Sequence, residues 1–238
     1  PQYKRLLEEH EFTRILWLPH TDYGYLITGD RAENTDGVEL KKAPWWHKHR
    51  RTVSMMLYKY TTALPRLTVI ANKILYRLFF TAHTRSFGTL YGATVTKSRG
   101  ATLELAEWTI GLDRFEPLMY DLKTTLNSST NRGYAHIPMD VRFIKADSTW
   151  LSNAYGQDTV TIGCVTRYAP TADQYEAFNV VEEVFLRHGG RPHFAKRFKA
   201  GYDELKTVIP KLDEFIALRR ELDPNGRFLN EYLKKIYA

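Results

Sequence analysis

The spacing of apolar positions alternates between two residues and three-to-four residues along the chain, and each change of period marks an element. Phe12 to Leu18 is rich in apolar and aromatic residues, turn-prone Pro19-His-Thr-Asp22 follows, and a second short run spans Tyr25 to Thr28, which predicts a hairpin. Asp30 to Asp36 reads as polar loop. Between Trp45 and Thr81 the period becomes helical on both sides of Pro65, with Met55, Met56, Leu57, Tyr60 and Leu64 before it. Leu67, Ile70, Ala71, Ile74, Leu75, Leu78 and Phe79 follow.

Thr102 to Thr109 predicts a strand, and Phe115 to Leu126 a helix with Leu118, Met119, Leu122 and Leu126 inward. In Ile137 to Ile144, Met139, Val141 and Phe143 face one way and Asp140 and Arg142 the other. Thr159 to Tyr168 alternates again. A helix follows from Pro170, with Thr171 and Gln174 as a capping box, and stops at Gly189-Gly190. Pro210 suits a first helical turn, Leu212, Phe215, Ile216 and Leu222 form a stripe, and Asp223-Pro-Asn-Gly226 ends it; a last helix spans Phe228 to Tyr237. Together these predict an α+β fold, a largely antiparallel sheet flanked by helices with a helical C-terminal return segment.

The 238 residues, 43% of them hydrophobic, suffice for one large domain or two small ones. The opening at Pro1, without an apolar signal segment, is expected of a cut or processed start. Cys164 is the only cysteine, which excludes an internal disulfide and cysteine-based metal sites, and its strand context makes it a small buried hydrophobe. The eight histidines show no metal-ligand spacing, and His47-Lys-His-Arg-Arg51 reads as a solvated basic face, so no metal site is expected.

The net charge of +7 suits a nucleic acid, an anionic membrane surface or an anionic subunit. The lack of any helix-turn-helix, zinc-finger or RNP-type motif argues against nucleic acid. Lys59, Arg66, Lys73 and Arg77 interrupt the pair around Pro65 too often for a spanning helix, which needs about 20 mostly apolar residues. Two readings of residues 45–80 stay open: an amphipathic pair packed on its own sheet, or a helical hairpin lying on a membrane with Trp45-Trp46 at its edge.

The stretch Gly189 to Lys196, GGRPHFAK, presents Arg191, His193 and Lys196 from a stiff connector, because a Gly pair lets the chain leave a helix and Pro192 holds it extended. A basic surface loop and a site are both open at this point. So are a solvent-facing ion pair and a site for Asp140 and Arg142.

The string GGRPHFAK, followed by Phe215-Ile-Ala-Leu-Arg-Arg-Glu-Leu-Asp-Pro-Asn-Gly-Arg-Phe-Leu-Asn-Glu-Tyr-Leu233, resembles the C-terminal end of the aldonolactone oxidoreductases, the group of gulonolactone oxidases, arabinono-lactone oxidases and galactonolactone dehydrogenases. Ile15-Leu-Trp-Leu-Pro-His20, Glu107-Trp-Thr-Ile110, Pro138-Met-Asp-Val-Arg-Phe143 and Leu64-Pro-Arg-Leu67 match the same family in its animal or general form, so the likeness covers nearly the whole chain.

The resemblance implies a flavoprotein of the vanillyl-alcohol-oxidase type. Residues 1–190 would be the cap over the substrate and residues 191–238 the return segment packing on an FAD-binding domain. FAD would be held mainly by that domain, in a segment or partner subunit outside this chain, since no Gly-rich phosphate loop opens a helix here. The implied chemistry oxidises the hydroxyl beside a sugar-lactone carbonyl, as in ascorbate biosynthesis. By the same likeness Arg142 steadies the substrate oxygen, Asp140 stands beside it, and Lys196 meets the flavin edge with His193 and Arg191 nearby.

Two departures stand out. The family has Glu at Asp140, where the loss of one methylene retracts the carboxylate by roughly 1.5 Å, and Trp at Phe194, where an indole donor is lost. These keep a second expectation open, a catalytically impaired structural module in a membrane-associated, respiratory-type assembly. The expected location is a membrane, mitochondrial, with the endoplasmic reticulum as the alternative.

Overall fold

The computed structural model describes residues 2–33, 39–89, 103–128, 133–167 and 175–237. In chain order the elements are α1 (Gln2–Glu9), β1 (Phe12–Trp17), β2 (Gly24–Gly29), α2 (Arg50–Ala63), α3 (Thr68–Phe79), β3 (Leu103–Gly111), α4 (Phe115–Asn127), β4 (Met139–Ile144) and β5 (Thr159–Arg167). Then come α5 (Glu176–Arg187), β6 (Arg191–Pro192), α6 (Tyr202–Leu205), α7 (Leu212–Leu222) and α8 (Glu231–Tyr237). The six strands form one antiparallel sheet in the order β2-β1-β4-β5-β3-β6, so the fold is α+β as the sequence predicts.

Alternation gives the sheet two unlike faces. Ala106, Trp108 and Ile110 of β3, Val160, Ile162 and Cys164 of β5, Met139 and Val141 of β4, and Trp17 of β1 are buried in one core. Over them lie Leu118, Leu122 and Leu126 of α4 and Phe178, Val181, Val184 and Phe185 of α5, with Leu205, Leu212, Ile216 and Ile236 from the C-terminal segment in the same cluster. Trp108 is its centre, stacked on Phe185 with ring centroids 6.0 Å apart and edge-on to Phe198 at 6.2 Å. Its indole N–H is buried with no acceptor among the described residues.

The α2–α3 pair lies on the other side of the sheet, at the β1–β2 edge. Leu75, Phe79 and Phe80 pack with Leu18, Leu16 and Tyr25, and Leu16 is the register partner of both Tyr25 and Asp140, which places the pair beside the polar face. Pro65 opens the short 3-10 turn Pro65–Leu67 between the helices, where its missing N–H costs nothing. A polar tie fastens the pair: His136, just before β4, meets the Thr61 hydroxyl at 2.6 Å and the Thr68 hydroxyl at 3.2 Å, with Tyr58 edge-on to its ring. Asn72 also donates to the carbonyls of Pro19 and Ala135. No helix of the described residues is long and apolar enough to cross a membrane.

Several predicted details shift. Leu222, assigned to the inner stripe of α7, is 75% exposed, because it ends the helix on the side away from Leu212 and Ile216. Pro210 lies in the turn before α7 rather than in its first helical turn, and α8 starts at Glu231 with Phe228 left in the preceding loop. Met119, by contrast, packs against the core as expected, though only half-buried. The capping box at Thr171 and Gln174 lies outside the described residues. Cys164 is fully buried, and burial pushes its thiol up to about 12.

Trp108→Ala is expected to lower the unfolding free energy by about 3–5 kcal/mol. Trp108→Phe, which removes the unpaired N–H while keeping an aromatic ring, should cost less than about 1.5 kcal/mol; denaturant titration separates the two.

Burial drives the pKa of His136 from its ordinary 6.5 down to about 4. Its folded pKa lies below the unfolded one, so this contribution is complete above pH 6.5 and is lost as pH falls toward about 4, by roughly 3 kcal/mol. His136→Gln should flatten the pH dependence of unfolding across that window.

Candidate functional site

The face of the sheet opposite α4 and α5 displays its side chains in two neighbouring rows set by strand register. One row reads Leu16, Asp140, Gly163, Glu107; the next reads Arg14, Arg142, Thr161, Thr109, Arg191. Two arginines stand directly opposite each other in the second row, an arrangement that alone would be repulsive. Carboxylates in the first row resolve it. Asp140 receives Arg14 with both oxygens, Nε at 2.5 Å and Nη2 at 2.9 Å. Arg142 instead reaches across Gly163 to donate from Nη2 to Oε2 of Glu107 at 2.8 Å, while its Nε stays 3.6 Å from Asp140.

The environment of these four groups is graded. The Glu107 side chain is 11% exposed and that of Arg142 is 44% exposed, so the arginine rises from a buried carboxylate toward solvent. Gly163 leaves the space between Asp140 and Glu107 open. A Cβ placed there would lie 3.7 Å from the Glu107 carboxylate, so a longer side chain would fill the gap that Arg142 spans.

Arg191 sits at the far end of the second row, opposite Thr109, and its buried guanidinium turns inward. It donates from Nε to the Val208 carbonyl at 2.8 Å and from Nη1 to the carbonyls of Asn153 and Tyr155 at 3.1 and 3.0 Å. That roofs this end of the face with the segment around Asn153, which also donates to Thr109. Burial and the nearby Arg114 depress its pKa. The geometry makes it a clamp between three chain segments and separates it from Arg142.

His193 and Lys196 lie along the β3 edge. Gly189, at φ 72°, turns the chain out of α5, and Gly190 passes so close to Phe185 that a Cβ there would come within 2.8 Å of its carbonyl oxygen. Past β6, the His193 N–H donates to the Glu107 carbonyl at 2.9 Å and the Arg197 N–H to that of Leu105 at 2.8 Å. Between them a turn is closed by the Lys196 N–H on the His193 carbonyl at 2.9 Å and the Ala195 N–H on the His193 ring at 3.1 Å. The half-buried Lys196 carries no side-chain hydrogen bond or ion pair among the described residues. Arg142 and His193 are thus neighbours of one residue, Glu107, through its carboxylate and its carbonyl respectively.

Glu107 and Arg14 were not singled out by the sequence as site residues. Glu107 appears there only inside a family string, although its place among Ala106, Trp108 and Ile110 was the available signal: an acid on the opposite phase of an otherwise apolar strand. Phe194, in the position of the family's Trp, packs with Phe198 and Tyr237, and its carbonyl accepts from the Tyr232 hydroxyl at 3.1 Å.

The sheet face opposite α4 and α5 thus carries a cluster of paired charges, Arg14 with Asp140 and Arg142 with Glu107. Comparison with known proteins places the chain in a class. The family model described as D-arabinono-1,4-lactone oxidase matches residues 1–236, and the chain belongs to that family of sugar-lactone oxidoreductases. It is 27% identical over 244 residues to an L-gulonolactone oxidase of Scyliorhinus torazame and 25% identical over 233 residues to that of Mus musculus, with 97% of this chain and 52% of each relative covered. An L-gulono-1,4-lactone dehydrogenase of Mycobacterium tuberculosis is 40% identical over 100 residues, covering 42% of this chain and 23% of the relative. The chain spans about half the length of the first two relatives.

Arg191→Ala would empty the space of a buried guanidinium and take the donor from three part-buried carbonyls, and is expected to destabilise the fold by about 2–4 kcal/mol. Arg191→Lys should recover little of this, since an ammonium lacks the planar fork. Thermal melting of the two variants tests the assignment.

Proposed function

We propose that this chain is the substrate-covering half of an FAD-dependent oxidoreductase acting on the CH–OH of sugar 1,4-lactones, completed by an FAD-binding domain or subunit outside these 238 residues. What supports this is one observation taken with the family: Arg142 is braced by Glu107 at 2.8 Å, yet its side chain stays 44% exposed. A guanidinium held from behind is ready for an oxygen in front, and its direction need not be reorganised as charge develops.

In this reading Arg142 binds the oxygen of the lactone that is being oxidised and holds the negative charge that grows on it. Glu107 fixes the direction of Arg142, and Arg14 holds the Asp140 carboxylate 3.6 Å from the Arg142 Nε. Lys196 offers a positive charge to the edge of the flavin, with His193 beside it to orient or exchange a proton. The fit extends to one edge only, since the Lys196 ammonium, unpaired among the described residues, suits an electron-rich ring while the guanidinium of Arg191 is already taken up by carbonyls. FAD, when bound, supplies the acceptor for the hydride; the chain's part is binding, orientation and charge.

A second reading, a structural module of a membrane-associated assembly without turnover, draws on one feature. Both oxygens of Asp140 are engaged by Arg14, which leaves this shortened carboxylate little freedom to act on a substrate. The compartment that accompanies either reading is a membrane, mitochondrial or endoplasmic.

Arg142→Ala in the flavin-loaded full-length protein is expected to slow anaerobic flavin reduction by a sugar 1,4-lactone by about 10²–10³-fold, with Arg142→Lys recovering part of the rate. Unchanged rapid reduction in Arg142→Ala would remove Arg142 from the proposed role. No reduction of the unaltered protein by any of a panel of such lactones would favour the structural reading.

A further inference from the structure

We propose that the outer side of the α2–α3 pair docks on the surface of an anionic lipid bilayer, and that it does so whether or not the chain takes part in redox chemistry.

The first observation is charge segregation. Between Glu39 and Glu104 the sequence has twelve Lys and Arg and no Asp or Glu, while the whole chain carries +7; the remainder is therefore net negative by five. All of the molecule's excess positive charge resides in this one stretch. Much of it is displayed: Lys48, Arg50, Arg51, Lys59, Arg66, Lys73 and Arg77 are all exposed.

The second observation is what lies among those cations. The inner sides of the helices are used, through Leu75 and Phe79 against the β1–β2 hairpin and through Thr61 and Thr68 against His136. The outer sides carry two apolar stripes at helical spacing, Met56, Tyr60 and Leu64 on α2 and its end, then Ile70, Ile74 and Leu78 on α3. Trp45, at the entry to α2, is 73% exposed, and Tyr60 and Leu64 are each 62% exposed.

A protein partner would present a different requirement, because the core of a protein interface is depleted of charge. Here Lys59, Arg66 and Arg77 are interleaved with the stripes, with no acid on the same stretch, and Lys73 stands at their flank, where Asp22 of the β1–β2 turn shares a cleft with it. Long cationic stems that reach headgroups while Trp, Leu and Ile enter the acyl boundary meet both demands at once, and neither helix is long or apolar enough to cross. The lipid is therefore anionic and the contact peripheral.

The test is co-sedimentation of the purified protein with phosphatidylcholine vesicles with and without phosphatidylserine. Binding is expected to the phosphatidylserine vesicles, to weaken as salt is raised, and to be slight on phosphatidylcholine alone. The triple variant Lys59→Glu, Arg66→Glu, Lys73→Glu and the triple variant Trp45→Ala, Tyr60→Gln, Ile70→Gln should each lose at least about tenfold in binding. All six positions are exposed, and an unchanged melting temperature confirms that the fold is kept. No binding to either vesicle, equal binding to both, or undiminished binding by the two variants would each overturn the proposal.

Discussion

Burial of one side of the sheet under α4 and α5 is the constraint from which the remaining geometry follows. Trp108, Ile162 and Val141 must all face that core, and because side chains on a strand alternate, this choice fixes what each neighbouring residue does. Glu107, Gly163 and Asp140 are placed in one row on the far side by the apolar residues beside them. A slip of a single residue in β4 would bury Asp140 and Arg142 and expose Met139 and Val141, which is costly enough to hold the register firmly. The polar patch is in this sense a by-product of hydrophobic packing, and its precision derives from the rigidity of that core.

Most of the fold was legible because its elements have clean periods. The hairpin, the pair around Pro65, α4, and the alternation in β4 all follow from where Leu, Ile, Met and Phe recur. Features that depend on pairing between distant segments were not legible. A two-residue strand such as β6 has no period at all, and only its register against Trp108 and Thr109 makes it one. The end of α7 failed for a related reason: Leu222 fits the stripe by spacing, but none of the described residues covers it.

The candidate site divides in the same way. Asp140 and Arg142 could be placed on a common face from β4 alone. That Arg142 turns away from Asp140 toward Glu107 could not, since this depends on Arg14 taking both Asp140 oxygens from a strand 126 residues earlier in the sequence. Arg191, His193 and Lys196 looked equivalent as three basic or titratable residues on one connector. Their environments separate them: one is buried among carbonyls, one is tied through its N–H and ring to nearby backbone, and one has no side-chain partner among the described residues.

An open sheet ends in two rims, and each is a template on which a second chain could add a strand. At the β3 rim, β6 contributes only Arg191 and Pro192, of which the proline has no N–H to give, while the N–H groups of His193 and Arg197 already occupy the carbonyls of Glu107 and Leu105. Strand addition is blunted on that flank. Self-association by edge pairing is thereby steered toward the β2 rim, at the opposite end of the sheet from the turn that carries Lys196.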